Sequence, residues 1–176
     1  NPPTASPATG GTPTGNTGNE DSDDGDNSAA VNLSWGEPYQ READYPATVT
    51  LPQQLVTLRD GIRLAATVTL PADENGTAIA GQFPVIATFT GYNQFYSGSV
   101  FADPELVKRG YAYITVDLRG TGASEGSWQA FGQVDQDDIG ELLTYIKSQP
   151  WSNGTIGMNG ASYMAITGLL AGARQD

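Results

Sequence analysis

The sequence predicts an α/β fold with a mostly parallel sheet, and three observations predict it. Two short apolar runs, Phe83 to Thr90 and Tyr111 to Val116, are too continuous for half-exposed strands and suit central strands covered on both faces. Helical segments alternate with them, which implies right-handed crossovers and parallel pairing. A pair of β-prone runs around Asp60-Gly61 adds an antiparallel hairpin at the N-terminal edge.

The chain has two compositional parts. Residues 1–34 are rich in Pro, Thr, Gly, Asn and Ser and carry an acid cluster at Asp21, Asp23, Asp24 and Asp26. They bury too little apolar surface to repay the entropy of ordering and read as a disordered linker. The acid cluster does not fit a calcium loop: with Gly25 as the sixth position, Val31 stands where the bidentate glutamate belongs. Linkers of this composition commonly follow a cleaved signal peptide or an acylated cysteine, so an extracytoplasmic protein, secreted or held by an upstream lipid anchor, is expected by association. Residues 35–176 form the folded part.

Within it, Leu55 to Leu58 and Arg63 to Leu70 read as hairpin strands joined by a two-residue type I′ Asp-Gly turn, with Pro71 ending the second strand. The Phe83 to Thr90 strand comes next. Pro104 to Arg109 suits a short helix, with proline in its first turn, basic residues in its last and Gly110 as the stop. The Tyr111 to Val116 strand follows. Asp135 to Ser148 places Ile139, Leu142, Leu143 and Ile146 on one face, acids at its start and Lys147 near its end, an amphipathic helix aligned with its dipole. Thr155 to Asn159 reads as a small strand, and Tyr163 to Ala173 as a helix apolar nearly all round and hence buried.

Composition narrows the chemistry. A net charge of -12 and a pI near 4.1 leave no basic stripe to displace counterions from phosphates, so nucleic acid is not an expected partner. No run of about 18 apolar residues occurs, so no membrane span is expected. With no cysteine there is no thiolate nucleophile and no cysteine-based metal site, and nothing calls for a metal or another cofactor. The chain also has no histidine, so it cannot assemble a Ser-His-Asp relay by itself. Lys108 and Lys147 fall on helix ends, which disfavours a Ser-Lys substitute.

The nucleophile candidate is Ser162. It sits in Gly160-Ala161-Ser162-Tyr163-Met164, between a strand and an apolar helix. A sharp turn there lifts a serine oxygen off the sheet and points the helix's free amides and positive dipole end at it. The Gly-x-Ser-x-Gly pattern is half met, because Met164 occupies the second glycine position. Tyr92, in Thr90-Gly91-Tyr92-Asn93, follows a buried strand at the sheet edge where α/β ligand sites form, and is either a site residue or an aromatic that caps the core. Asp117, before Leu118-Arg119-Gly120, reads as an organiser of its loop. Gly120-Thr121-Gly122-Ala123-Ser124-Glu125 misses the dinucleotide pattern at Glu125. Trp128, Phe131 and Trp151 belong to the core or to a pocket rim.

Taken together, six stretches carry a resemblance: Leu58 to Leu64, Phe83 to Ile86 with Tyr92 beyond, Lys108 to Ala112, Asp117 to Gly126, Gln149 to Gly154, and Gly157 to Tyr163. Over roughly residues 55–174 the chain resembles the X-Pro dipeptidyl-peptidase and cocaine-esterase-like (CocE/NonD) α/β-hydrolases. In that family the nucleophile motif is Gly-x-Ser-Tyr-x-Gly, met here from Gly160 to Tyr163, with Ala165 in place of the last glycine. The resemblance implies an α/β-hydrolase fold of which this chain is the N-terminal part. It also implies Ser162 as nucleophile and an oxyanion hole made by the Tyr163 N–H and the Tyr92 hydroxyl.

The implied activity is hydrolysis of an ester, amide or X-Pro peptide bond of a small substrate through an acyl-enzyme. The triad Asp and His are expected C-terminal to Asp176, in the Ser, Asp, His order of this fold, and the chain alone is expected to be inactive. A non-catalytic binding or scaffolding module on the same fold is the alternative.

Overall fold

The computed structural model describes residues 41–174. Expectations for residues 1–34, linker and acid cluster included, lie outside the described residues. The elements are β1 (Ala47–Thr50), β2 (Gln54–Thr57), β3 (Arg63–Ala72), β4 (Phe83–Thr90), α1 (Gln94–Phe101), α2 (Pro104–Lys108), β5 (Ala112–Asp117), α3 (Gln133–Ser148), β6 (Ser152–Met158) and α4 (Tyr163–Gly172).

The strands make one sheet in the order β1-β3-β5-β4-β6, with β2 also paired to β3. β4 is parallel to both β5 and β6, whereas β3 is antiparallel to β1, β2 and β5. Five strands therefore run one way and β3 alone runs against them, which is the mostly parallel sheet with an antiparallel N-terminal hairpin that the sequence predicts. β1 and β2 share one edge of β3: Thr50 pairs with Thr69 and Gln54 with Ala66.

The chain reverses direction across the sheet at β4. One crossover carries it from β4 to β5 on one side, and the next carries it back past β4 to β6. Right-handed crossovers in opposite senses put their helices on opposite faces. In agreement, α1 and α2 pack near β5, β4, β3 and β1, while α3 and α4 pack on β6 and β4. Leu64, Val68, Phe89, Ile114, Val116, Ile139, Leu142 and Ile146 are fully buried and form the centre of the core. All six residues of β5 are buried, as a central strand requires.

Three local expectations are corrected, and two elements are added. The turn after Leu58 is not type I′, which needs positive φ at both central residues. Only Gly61 is left-handed (φ 84°), the Gly61 N–H reaches the Leu58 carbonyl at 2.9 Å, and the Leu58 N–H reaches Ile62 at 2.8 Å. This is a three-residue loop closed by a glycine bulge. Pro71 does not end its strand, which runs to Ala72. The Leu51 N–H bonds the Val68 carbonyl, so by alternation Thr48 and Pro71 face each other as a non-bonded pair, and β5 reaches only to Thr69. The missing N–H of Pro71 thus forfeits no ladder bond. The helix after Ser162 is not buried all round, since Ile166 is 43 % and Leu169 77 % exposed. Finally, the structure adds β1 and α1, which the reading of the sequence does not contain.

Candidate functional site

The carboxyl ends of β4, β5 and β6 converge where the strand order reverses, the position at which open α/β sheets place their ligands. Each supplies a loop. The β4 loop brings Tyr92, the β5 loop brings Asp117 to Gly132, and β6 leads through Asn159 and Gly160 into Ser162.

Ser162 has φ 56° and ψ -121°, a backbone conformation that costs an L-residue on the order of 1–3 kcal/mol. The bend is held from both sides. Asn159 donates its N–H to the Ala87 carbonyl at 2.9 Å and its side-chain amide to Phe101 O at 3.0 Å, and its own carbonyl accepts from Thr88 Oγ1 at 2.7 Å. Beyond the serine, Thr167 Oγ1 ties α4 to the Phe89 carbonyl at 2.9 Å. Gly160 is forced by space: a Cβ there would lie 2.3 Å from Met164 Cβ. Met164 at the second glycine position of the generic pattern is thus what makes the first glycine obligatory.

Ser162 is solvent-exposed at the N-terminus of α4. Among the described residues the backbone hydrogen bonds at the start of α4 begin with the Met164 N–H, which leaves the Tyr163 N–H, in the first helical position, without a partner there. The Tyr92 hydroxyl lies 3.4 Å from Ser162 Oγ. Its loop is rigidly built: Thr90 Oγ1 accepts the Tyr92 N–H at 2.9 Å and pairs with Ser97 Oγ at 2.7 Å, and Asn93 Oδ1 caps α1 through the Phe95 N–H at 2.9 Å. Ser162, Tyr92 and Tyr163, singled out in the sequence, are therefore brought together.

Asp117 is fully buried at the end of β5, and burial raises its carboxyl above the ordinary range despite the donors around it. It accepts from the Gln94 N–H at 2.5 Å, Gln94 Nε2 at 3.2 Å and the Ala123 N–H at 3.0 Å, and so locks the β4 and β5 loops together. Its role is structural, as its sequence context suggests. Arg119 makes a bidentate pair with Asp138 on α3, at 2.7 and 2.8 Å, and a third contact to Asp60 at 2.8 Å, which fixes the hairpin turn against α3.

The sequence leaves three aromatics open between core and pocket rim, and the structure divides them. Trp151 is core at 8 % exposure. Phe131 stacks on the Tyr163 ring at 4.3 Å, and Trp128 donates its indole N–H to the Tyr163 hydroxyl at 3.0 Å. Tyr92 meets the same ring edge-on at 5.9 Å. Of these rings, Tyr92 reaches the serine oxygen. Burial raises the Tyr163 phenol, which stays neutral. Among the described residues, no group of three or more His, Cys, Asp or Glu could hold a metal ion.

The model of the X-Pro dipeptidyl-peptidase (S15) family matches residues 60–176. The cocaine esterase of Rhodococcus sp. (strain MB1 Bresler) is 34% identical over 120 residues, covering 64% of this chain and 19% of the esterase. A solved CocE/NonD family hydrolase from Staphylococcus aureus superposes with a TM-score of 0.60 at 26% identity, over 69% of this chain and 24% of that one. An α-amino acid ester hydrolase superposes with a TM-score of 0.57 at 24% identity, over 82% of this chain and 26% of that one, a likeness of fold. The chain thus spans about a fifth of the length of the curated relatives it matches. With the family match extending over about two thirds of its residues, this chain belongs to the X-Pro dipeptidyl-peptidase (S15) family and carries part of an α/β-hydrolase fold.

Proposed function

We propose that this chain supplies the nucleophile and oxyanion donors of a serine hydrolase that cleaves an ester or X-Pro peptide bond through an acyl-enzyme. The observation that carries the reading is Ser162 itself: a left-handed serine at a strand-to-helix turn, exposed, with a tyrosine hydroxyl 3.4 Å from its oxygen. Such a bend is costly and persists only where the surrounding structure fixes it.

Ser162 Oγ adds to the substrate carbonyl carbon and gives its proton to a base. The carbonyl oxygen becomes an oxyanion, held by the Tyr92 hydroxyl and the Tyr163 N–H, with the positive end of the α4 dipole behind them. Collapse breaks the bond to the alcohol or amine, which leaves with the proton. Water then attacks the acyl-enzyme, the acid departs and Ser162 is restored. The base in this reading is a histidine oriented by an aspartate, and since these 176 residues contain no histidine it comes from outside them. The family covers peptidases and the relative from Rhodococcus is an esterase, so both bond types fit the reading.

The test is fluorophosphonate labelling of the full-length protein beside its Ser162→Ala variant. Labelling of the wild type and none of the variant is expected. Equal labelling of the two removes Ser162 from the mechanism.

A further inference from the structure

α3 begins without a side-chain cap on its first amides: Gly132 is its N-cap. The residues before it are stranger. Ala130 (φ 38°) and Phe131 (φ 65°) are consecutive non-glycine residues in the left-handed region, where each costs an L-residue free energy. Something must hold them there.

The hold comes from Asp135, in the first turn of α3. Its Oδ2 accepts the Phe131 N–H at 3.0 Å, while Gln136 Nε2 donates to the Phe131 carbonyl at 3.2 Å, so the peptide groups on both sides of Phe131 are pinned. Asp135 is 1 % exposed, its Oδ1 makes no hydrogen bond within 3.5 Å, and its carboxyl also interacts directly with the Tyr163 hydroxyl. A buried carboxyl with one oxygen short of a hydrogen bond is an expensive way to begin a helix, and each such group needs a reason. The reason lies on the other side of Phe131, whose ring is stacked on Tyr163 with planes 27° apart. Tyr163 is also held by the Trp128 indole from the same loop. The residue so clamped is the one whose backbone N–H stands next to Ser162.

We propose that Asp135 is a positioning residue for the reaction. By accepting the Phe131 N–H it keeps the 130–131 bend left-handed and the Phe131 ring on Tyr163, and this fixes the Tyr163 amide where the oxyanion forms. The inference rests on the proposed hydrolase function. It requires of residue 135 an oxygen acceptor, not a negative charge.

That requirement sets the test, made on the full-length protein with p-nitrophenyl acetate as the ester probe. Asp135→Leu, similar in size but without an acceptor, is expected to lower kcat about tenfold or more with KM within about twofold, since a donor used only in the transition state is displaced. Asp135→Asn keeps an acceptor and is expected to restore kcat to within about threefold of wild type. Phe131→Ala breaks the same chain at its next link and keeps the inference testable should Asp135→Leu fail to fold. Its kcat should fall by a similar factor, and adding Asp135→Asn to it should change little. A structural cap alone would show in melting temperature and leave kcat untouched. Wild-type kcat in Asp135→Leu or in Phe131→Ala, or an Asp135→Asn as impaired as Asp135→Leu, overturns the inference. If those results appear while Ser162→Ala is inactive, only the positioning role falls. If Ser162→Ala remains active, the hydrolase mechanism and the inference fall together.

Discussion

Adding one methyl group at Gly160 should disable the site while leaving every polar group in place. The Cβ of Gly160→Ala would sit 2.3 Å from Met164 Cβ, 3.2 Å from its carbonyl carbon and 3.3 Å from its Cα. Carbon atoms pack at about 3.5–4.0 Å, so the β6-to-α4 turn has to open by more than about 1 Å. No side-chain rotation relieves this, because the nearest atom is fixed to the α4 backbone. Ser162 lies between the two colliding residues and moves with them. A displacement of about 1 Å at a reacting group can cost about 100-fold in rate, and that is the expected fall in kcat for p-nitrophenyl acetate hydrolysis by the full-length protein. Gly172→Ala is the control: its Cβ meets nothing within 4 Å, and it should keep the rate of the wild type. Wild-type kcat in Gly160→Ala would refute the idea that a tight turn presents the serine.

Three further outcomes are expected. Asp138→Ala leaves the Arg119 guanidinium, 8 % exposed, without its buried bidentate partner, and should cost about 3–5 kcal/mol in denaturant unfolding; a loss below about 1 kcal/mol would mean that Asp60 suffices. Tyr92→Phe removes one oxyanion donor and should lower kcat by about 100-fold or more without a change in melting temperature, and an unchanged rate would exclude the hydroxyl. Burial raises the Asp135 carboxyl, with the Phe131 N–H, the Arg119 charge and the Tyr163 hydroxyl opposing and the neighbouring Asp138 adding to it. A carboxyl raised in the folded state favours folding below its unfolded value, about 3.9, and this contribution is lost as pH rises through the folded value. Asp135→Asn should therefore gain stability relative to wild type on going from about pH 4 to neutral pH, and a pH-independent difference would contradict the shift.

Much of this site is legible in the amino-acid sequence alone. The apolar runs of β4 and β5 need no tertiary context, because a strand buried on both faces declares itself in composition. Ser162 is legible because strand, small residues and apolar helix follow one another directly. The rest depends on contacts distant in sequence. β1 is only four residues long and exists because Ala47 to Thr50 find the far end of β3. α1 has no apolar stripe to read; it is started by Asn93 and by the Asp117 carboxylate at the end of another strand. The aromatic wall joins Trp128 to Tyr163, 35 positions apart, through a left-handed bend at Ala130 and Phe131 that no glycine signals. Residue type also misleads at Pro71, where a local rule against proline in strands yields to the alternation of the ladder.

The central claim is that the Ser162 oxygen forms the covalent intermediate. Acid-quenching the full-length enzyme during turnover of a slowly deacylating ester, then mapping the added acyl mass by peptide mass spectrometry, tests it most directly. The acyl group is expected on the peptide containing Ser162, at that residue. An acyl group carried by any other side chain, with Ser162 unmodified, would contradict the account.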